Sequence, residues 1–209
     1  MVDTQTGKPV TGFDEAHTQR FHLLLASRDL TRFLHEHPTM AKDGTWTYRA
    51  TFPAGGDWWV YGDVAPTGKG SRILVAKISV HGSPPSGKSM AAPNRGPFTQ
   101  SGLTGRIEGT VPVGEMTTLR VRLTDAKTGK PAGNTQPYLG ATGHLMIIHE
   151  DGSTVVHSHP KEDAAQRALV KKGEILFTAR FPKPGRYTAY AQFKRAGAIK
   201  TLGFTLEAK

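Results

Sequence analysis

Apolar and polar residues alternate along most of the chain, or the apolar ones gather in short blocks, and Gly, Pro, Asn and Asp separate one block from the next. A period of two bounded by turn residues predicts strands, here over residues 21–27, 31–37, 45–52, 58–64 and 73–80, with the same series repeated further on. The segment from residue 103 to 125 reads as one or two more strands broken at its glycines. Helical periodicity is nearly missing. One helix of a turn or two is expected around residues 163–172.

The series repeats because the chain contains a duplication. Under a shift of 122, Thr6-Gly7-Lys8-Pro9 falls on Thr128-Gly129-Lys130-Pro131, His22-Leu23 on His144-Leu145 and Asp29 on Asp151. His35, His37 and Pro38 fall on His157, His159 and Pro160. After a seven-residue insertion in the second copy, Phe52-Pro53 meets Phe181-Pro182, Trp58 meets Tyr187 and Tyr61 meets Tyr190. Short antiparallel strands in two such copies predict an all-β protein of two tandem immunoglobulin-like (cupredoxin-like) antiparallel β-sandwiches. The expected boundaries are a first repeat over 1–81, a Gly/Pro/Ser-rich linker over 82–102 and a second repeat over 103–209. The first repeat has no counterpart to residues 103–124, so it is expected to lack its leading strand, with upstream sequence and an export signal missing before Met1.

Composition removes several classes of function. With 209 residues there is room for a buried core, and the strictly apolar runs fall far short of the ~20 residues that span a bilayer, so the protein is not expected to be transmembrane. The absence of cysteine excludes disulfide frameworks, thiolate metal sites and cysteine nucleophiles. Net charge is +10, and most of the excess lies in residues 103–209, where 16 Lys and Arg face 9 Asp and Glu. These cations are scattered through strands without an Arg-rich arm or a recognition-helix pattern, so nucleic acid is not the expected partner. An anionic envelope surface is the partner such a basic face fits. Ser27, Ser153 and Ser158 stand near histidines but not in a strand-elbow-helix setting, and no nucleophilic enzyme is expected.

The histidines carry the chemistry. Two strands joined at the turn around Asp29, and again at Glu150-Asp151-Gly152, form a hairpin whose side chains alternate between faces. Centring the first hairpin on its turn places residue 22 opposite 35, and residue 144 opposite 157 in the second. A slip of two would change partners and keep the face. One face therefore shows His22, Leu24, Phe33, His35 and His37, and the matching face shows His144, Met146, Val155, His157 and His159. Three imidazoles within cross-strand reach suit copper, zinc or nickel, and a thioether such as Met146 favours copper, Cu(I) above all. Met40 follows the first HxHP. Asp29, Glu36, Asp63 and Glu150 are candidate acceptors for the non-ligating ring nitrogens. His17, His81 and His149 have no counterparts in the other repeat and read as incidental. Trp58 and Tyr187, in FPAGGDWWVY and FPKPGRYTAY, read as core aromatics.

The order of these motifs, TGKP after a strand, HL opening an apolar strand, an aspartate turn, HxHP and then FPxPGxY, resembles the exported bacterial β-sandwich domains that accompany copper and other heavy-metal handling genes, neighbours of the YtkA-like domains. The resemblance implies a periplasmic, secreted or envelope location and non-enzymatic binding, buffering or delivery of copper, with zinc as the other metal and an envelope metal-handling protein as partner. Its ligands would be His22, His35, His37, His144, His157 and His159. Leu24 at the position of Met146 departs from the pattern. Two other readings compete: a structural or adhesive tandem sandwich with incidental histidines, and a cupin-like metalloenzyme using His157, His159 and Glu162.

Overall fold

The computed structural model describes residues 1–16, 18–85 and 92–209, and the chain divides into two compact units, residues 1–89 and 90–209. The first unit holds β1 (Phe21–Ser27), β2 (Phe33–Glu36), β3 (Thr39–Met40), β4 (Trp46–Thr47), β5 (Gly56–Val64) and β6 (Arg72–Val80). The second holds β7 (Phe98–Gln100), β8 (Leu103–Glu108), β9 (Met116–Asp125), β10 (His144–His149), β11 (Val155–Ser158), α1 (Ala164–Val170), β12 (Glu174–Arg180), β13 (Gly185–Arg195) and β14 (Ala198–Ala208). All pairings between these strands are antiparallel.

In the second unit one sheet runs β12-β9-β8-β7 and the other β11-β10-β13-β14. Assigning A, B, C, C′, E, F and G to β8, β9, β10, β11, β12, β13 and β14 gives A-B-E facing C′-C-F-G, the immunoglobulin-type sandwich. Alternate residues of each sheet point inward. Leu119, Val121, Leu123, Ile175 and Phe177 from one sheet meet Leu145, Ile147, Ala189, Phe193 and Phe204 from the other, all buried. Tyr187, at the start of β13, donates its hydroxyl to the Lys183 carbonyl at 2.8 Å, the tyrosine corner of such sandwiches. Trp58 repeats this bond in the first unit, its Nε1 donating to Ala54 O at 3.2 Å.

The first unit keeps the C′-C-F-G sheet, as β2-β1-β5-β6, and reduces the opposing layer to the β3-β4 ribbon and the N-terminal segment. The expected strand over 45–52 shrinks to β4. Its counterpart β12 is held along its length by β9, and among the described residues the first unit has no strand in the place of β9, so the segment has no ladder of that kind to join. Trp46 of β4 instead packs on Phe13 and Phe21, with ring centroids 5.2 Å and 5.1 Å away.

The stretch between the repeats differs from expectation. Residues 82–102, read as linker, include β7, which pairs with β8, and Asn94, which bridges to Thr205. A three-residue strand carries too little periodicity to show in sequence, and Phe98 declares itself only by its edge-to-face contact with Phe204 at 5.6 Å. The central part of that linker, residues 86–91, lies outside the described residues, as does His17. The helix forms where expected, with Asp163 as its N-cap accepting from Gln166 N at 2.8 Å.

Candidate metal centre

Each histidine set is built on a hairpin whose register is set by its turn. Ser27 N donates to Arg32 O and His149 N to Thr154 O, both at 3.0 Å, so each loop holds four residues rather than two. Leu30 and Gly152 occupy the left-handed position in these loops, at φ 54° and 71°. Asp29 and Asp151 accept from the backbone N–H two residues on. The larger loop moves the register by two from the one expected. His35 is paired with Leu24 and His157 with Met146, and continuing either ladder brings His37 beside His22 and His159 beside His144. The face is unchanged.

In the second unit that face is turned away from the sandwich core, because Leu145 and Ile147 point into the core and His144 and Met146 alternate with them. The segment before β10 covers it. Gln136 bridges to Lys194, Thr142 donates through N and Oγ1 to Glu162, and the Tyr138 ring stands edge-on to His144 at 5.3 Å.

In the first unit, His22 Nδ1 lies 3.2 Å from His35 Nε2 and 3.3 Å from His37 Nε2. Its other nitrogen, Nε2, is 3.0 Å from the Ala16 carbonyl oxygen. A carbonyl only accepts, so Nε2 carries the hydrogen and the neutral ring turns its Nδ1 lone pair toward the other two histidines. The second unit repeats the arrangement: His144 Nε2 donates to Tyr138 O at 2.9 Å, and His144 Nδ1 lies 2.8 Å from His159 Nε2. The His157 ring completes the group, its centroid 4.4 Å from that of His159. In each set one nitrogen per ring falls within 4.8 Å of the other two. The anchoring rings are buried, as is His35, whereas His37, His157 and His159 are half-buried.

All six sequence-derived histidines are thus brought together in two sets of three. Met146 is buried on the same face as the cross-strand partner of His157. The fixing acceptors were not foreseen: they are the backbone carbonyls of Ala16 and Tyr138 rather than carboxylates. A signal for them exists in retrospect, since both precede their histidine by six residues. Asp29 accepts from Ser27 and Thr31, Glu150 from Arg186, and Glu162 from Thr142. Asp63 is the cross-strand partner of His22, and its Oδ1 accepts from Ser71. His149 is structural: Nε2 donates to Pro184 O at 3.2 Å and Nδ1 meets Asp151 Oδ1 at 2.9 Å. Burial pushes the Asp151 carboxyl up, but Lys183, the Ser153 N–H and His149 outweigh it and hold it well below the usual range.

The fold and site define a tandem immunoglobulin-type protein with a convergent three-imidazole set in each repeat. The chain belongs to the family described as Domain of unknown function (DUF8832), which matches residues 1–81 and 99–209. No curated protein matches it. Among solved structures it is similar to domains 4 and 5 of the S-layer protein SbsC, at 14% identity and a TM-score of 0.24, over 100% of this chain and 78% of that one. Among the described residues no helix is long and apolar enough to cross a membrane.

Proposed function

We propose that the protein is a non-enzymatic metal-binding protein of the bacterial envelope, which binds and buffers or delivers copper through one three-histidine site in each repeat. The observation that carries this reading is the spacing of the nitrogens. Two imidazoles on a tetrahedral ion with metal–nitrogen bonds of about 2.0–2.1 Å stand about 3.3–3.4 Å apart. The two separations in the first unit are 3.2 and 3.3 Å, with the lone pair of the first ring already aimed by its backbone partner. Holding the non-ligating nitrogen is the usual way a protein fixes a ligand's tautomer and raises its basicity. Met146 on the second face supports copper over zinc there. The envelope location rests on the resemblance drawn from the motifs, and the basic second repeat fits an anionic envelope surface or a metal-handling partner.

The test is titration of the apo-protein with Cu(I), Cu(II) and Zn(II), each against a competing chelator of known affinity. Two equivalents of copper are expected for the wild type and one for a variant carrying His157→Ala and His159→Ala. An unchanged stoichiometry in that variant, or no binding tighter than surface histidines provide, would overturn the reading and leave a structural tandem sandwich.

A further inference from the structure

The strand β6, nine residues from Arg72 to Val80, is the outermost strand of the first unit's sheet. It pairs with β5 without a bulge from Val64↔Arg72 to Gly56↔Val80, and no other described strand meets its far edge. Leu74, Val75 and Ile78 along it are 42%, 45% and 39% exposed. The duplication supplies the comparison. Tyr61 pairs with Val75 as Tyr190 pairs with Gly203, so Leu74 and Ile78 stand where β14 has Leu202 and Leu206. Those two leucines are buried in the core between the second unit's two sheets, a face that the first unit's β3-β4 ribbon leaves largely uncovered, and on the edge of β14 Asn94 exchanges two backbone bonds of 2.8 Å with Thr205. The second unit therefore covers this face and pairs its edge at one position, whereas no described strand pairs with the corresponding edge of β6.

A long, regular, apolar edge strand is a template for further pairing, and proteins ordinarily blunt it with charge, proline or a bulge. Here the only charge within the strand's middle is Lys77, and its ammonium lies over the Trp59 ring, 4.3 Å from the centroid. We propose that two copies of the chain associate through β6, their strands pairing antiparallel about a twofold axis at Ala76 to make one continuous eight-stranded sheet. The strand is self-complementary in that register. Leu74 lies opposite Ile78 of the second copy, Val75 opposite Lys77, Ile73 opposite Ser79 and Arg72 opposite Val80. Two equivalent Leu–Ile pairs then flank the axis on one face, and no like charges oppose one another. Moving the register two residues one way sets Lys77 against Lys77, and moving it the other way sets Arg72 against Ile78.

The absence of cysteine makes the test direct. Sedimentation velocity of the full chain across a concentration series, in EDTA so that the histidine sites cannot bridge copies through metal, is expected to show a concentration-dependent dimer. Ile78→Lys is expected to weaken dimerisation about tenfold or more by placing an ammonium against Leu74. Ala76→Cys, whose thiols would meet on the axis at a separation a disulfide can span, is expected to cross-link on mild oxidation, whereas Thr51→Cys on the exposed loop is not. This second variant leaves the strand's shape intact and reports even if Ile78→Lys fails to fold. A monomer at every concentration, a dimer that EDTA abolishes, or a dimer in which Ala76→Cys cross-links no faster than Thr51→Cys would each overturn the proposal. A monomer at every concentration, or unselective cross-linking, leaves the metal reading untouched, whereas a dimer that EDTA abolishes would move the association from β6 to bound metal.

Discussion

Position 58 and its counterpart at 187 illustrate how much a single side chain does in a sandwich of this kind. Both are fully buried aromatics, and both send one polar hydrogen back to a carbonyl four residues upstream. Burial raises the Tyr187 hydroxyl's pKa, keeping it protonated and donating to Lys183 O across the physiological range. Tyr187→Phe removes the donor and leaves the acceptor without it. The expected cost is about 1–2 kcal/mol, read as a lowered urea midpoint at unchanged slope. Sequence alternation was enough to assign both residues to the core. It did not show the hydrogen bond, because that depends on where the chain folds back at Pro182–Pro184 and at Phe52–Ala54.

The TGKP turns show the same economy at the level of the element. Asp3 and Asp125 each accept from the N–H groups two and three residues on and from the threonine hydroxyl, so the repeated sequence folds into the same turn twice. In the second turn an arginine also bonds the aspartate directly, whereas on Asp3 the cation is Lys69, acting through space. Arg195 from the end of β13 donates to Asp125 Oδ2 at 2.9 Å and, with the turn's own N–H groups, lowers that carboxyl to about 2. A carboxyl with a depressed native pKa adds stability that is full above its unfolded value near 3.8 and lost as pH falls toward the native value. Thermal melts taken from pH 5 to pH 2 should therefore lose stability more steeply in the wild type than in Asp125→Asn, the difference opening below about pH 4. Equal slopes would show that the Arg195 contact does not persist in solution.

For the whole molecule, duplication has produced two repeats that share a site and differ in their frame. The second sandwich encloses a core from two four-stranded sheets, whereas the first retains one such sheet with a ribbon across part of its face. If both sites take metal, saturating copper should raise the melting temperature of each unit, since an ion bound only by the folded form stabilises it in proportion to the logarithm of its excess over the dissociation constant. The gain should be greater for the repeat that starts with the smaller core. It should weaken at acid pH, where protons compete with the metal for the imidazole nitrogens. Calorimetry with and without copper, at pH 7.5 and pH 5.5, checks both statements; a shift independent of pH would mean that the ligands are not these histidines.

The strand pattern, the duplication and the membership of both histidine sets could be read from the chain, because side-chain alternation and internal repetition are local properties that survive without coordinates. The face on which His22, His35 and His37 lie was legible for the same reason. Register was not, since it depends on a left-handed residue at Leu30 or Gly152 that enlarges each loop, and neither were the carbonyls of Ala16 and Tyr138, which come from segments with no periodicity. The short strand Phe98–Gln100 and the loss of the strand over 45–52 were equally hidden, because a strand exists only where another strand accepts its hydrogen bonds. Local alternation thus determined what each segment was able to become, and tertiary pairing decided which segments became it and which nitrogens ended up facing one another.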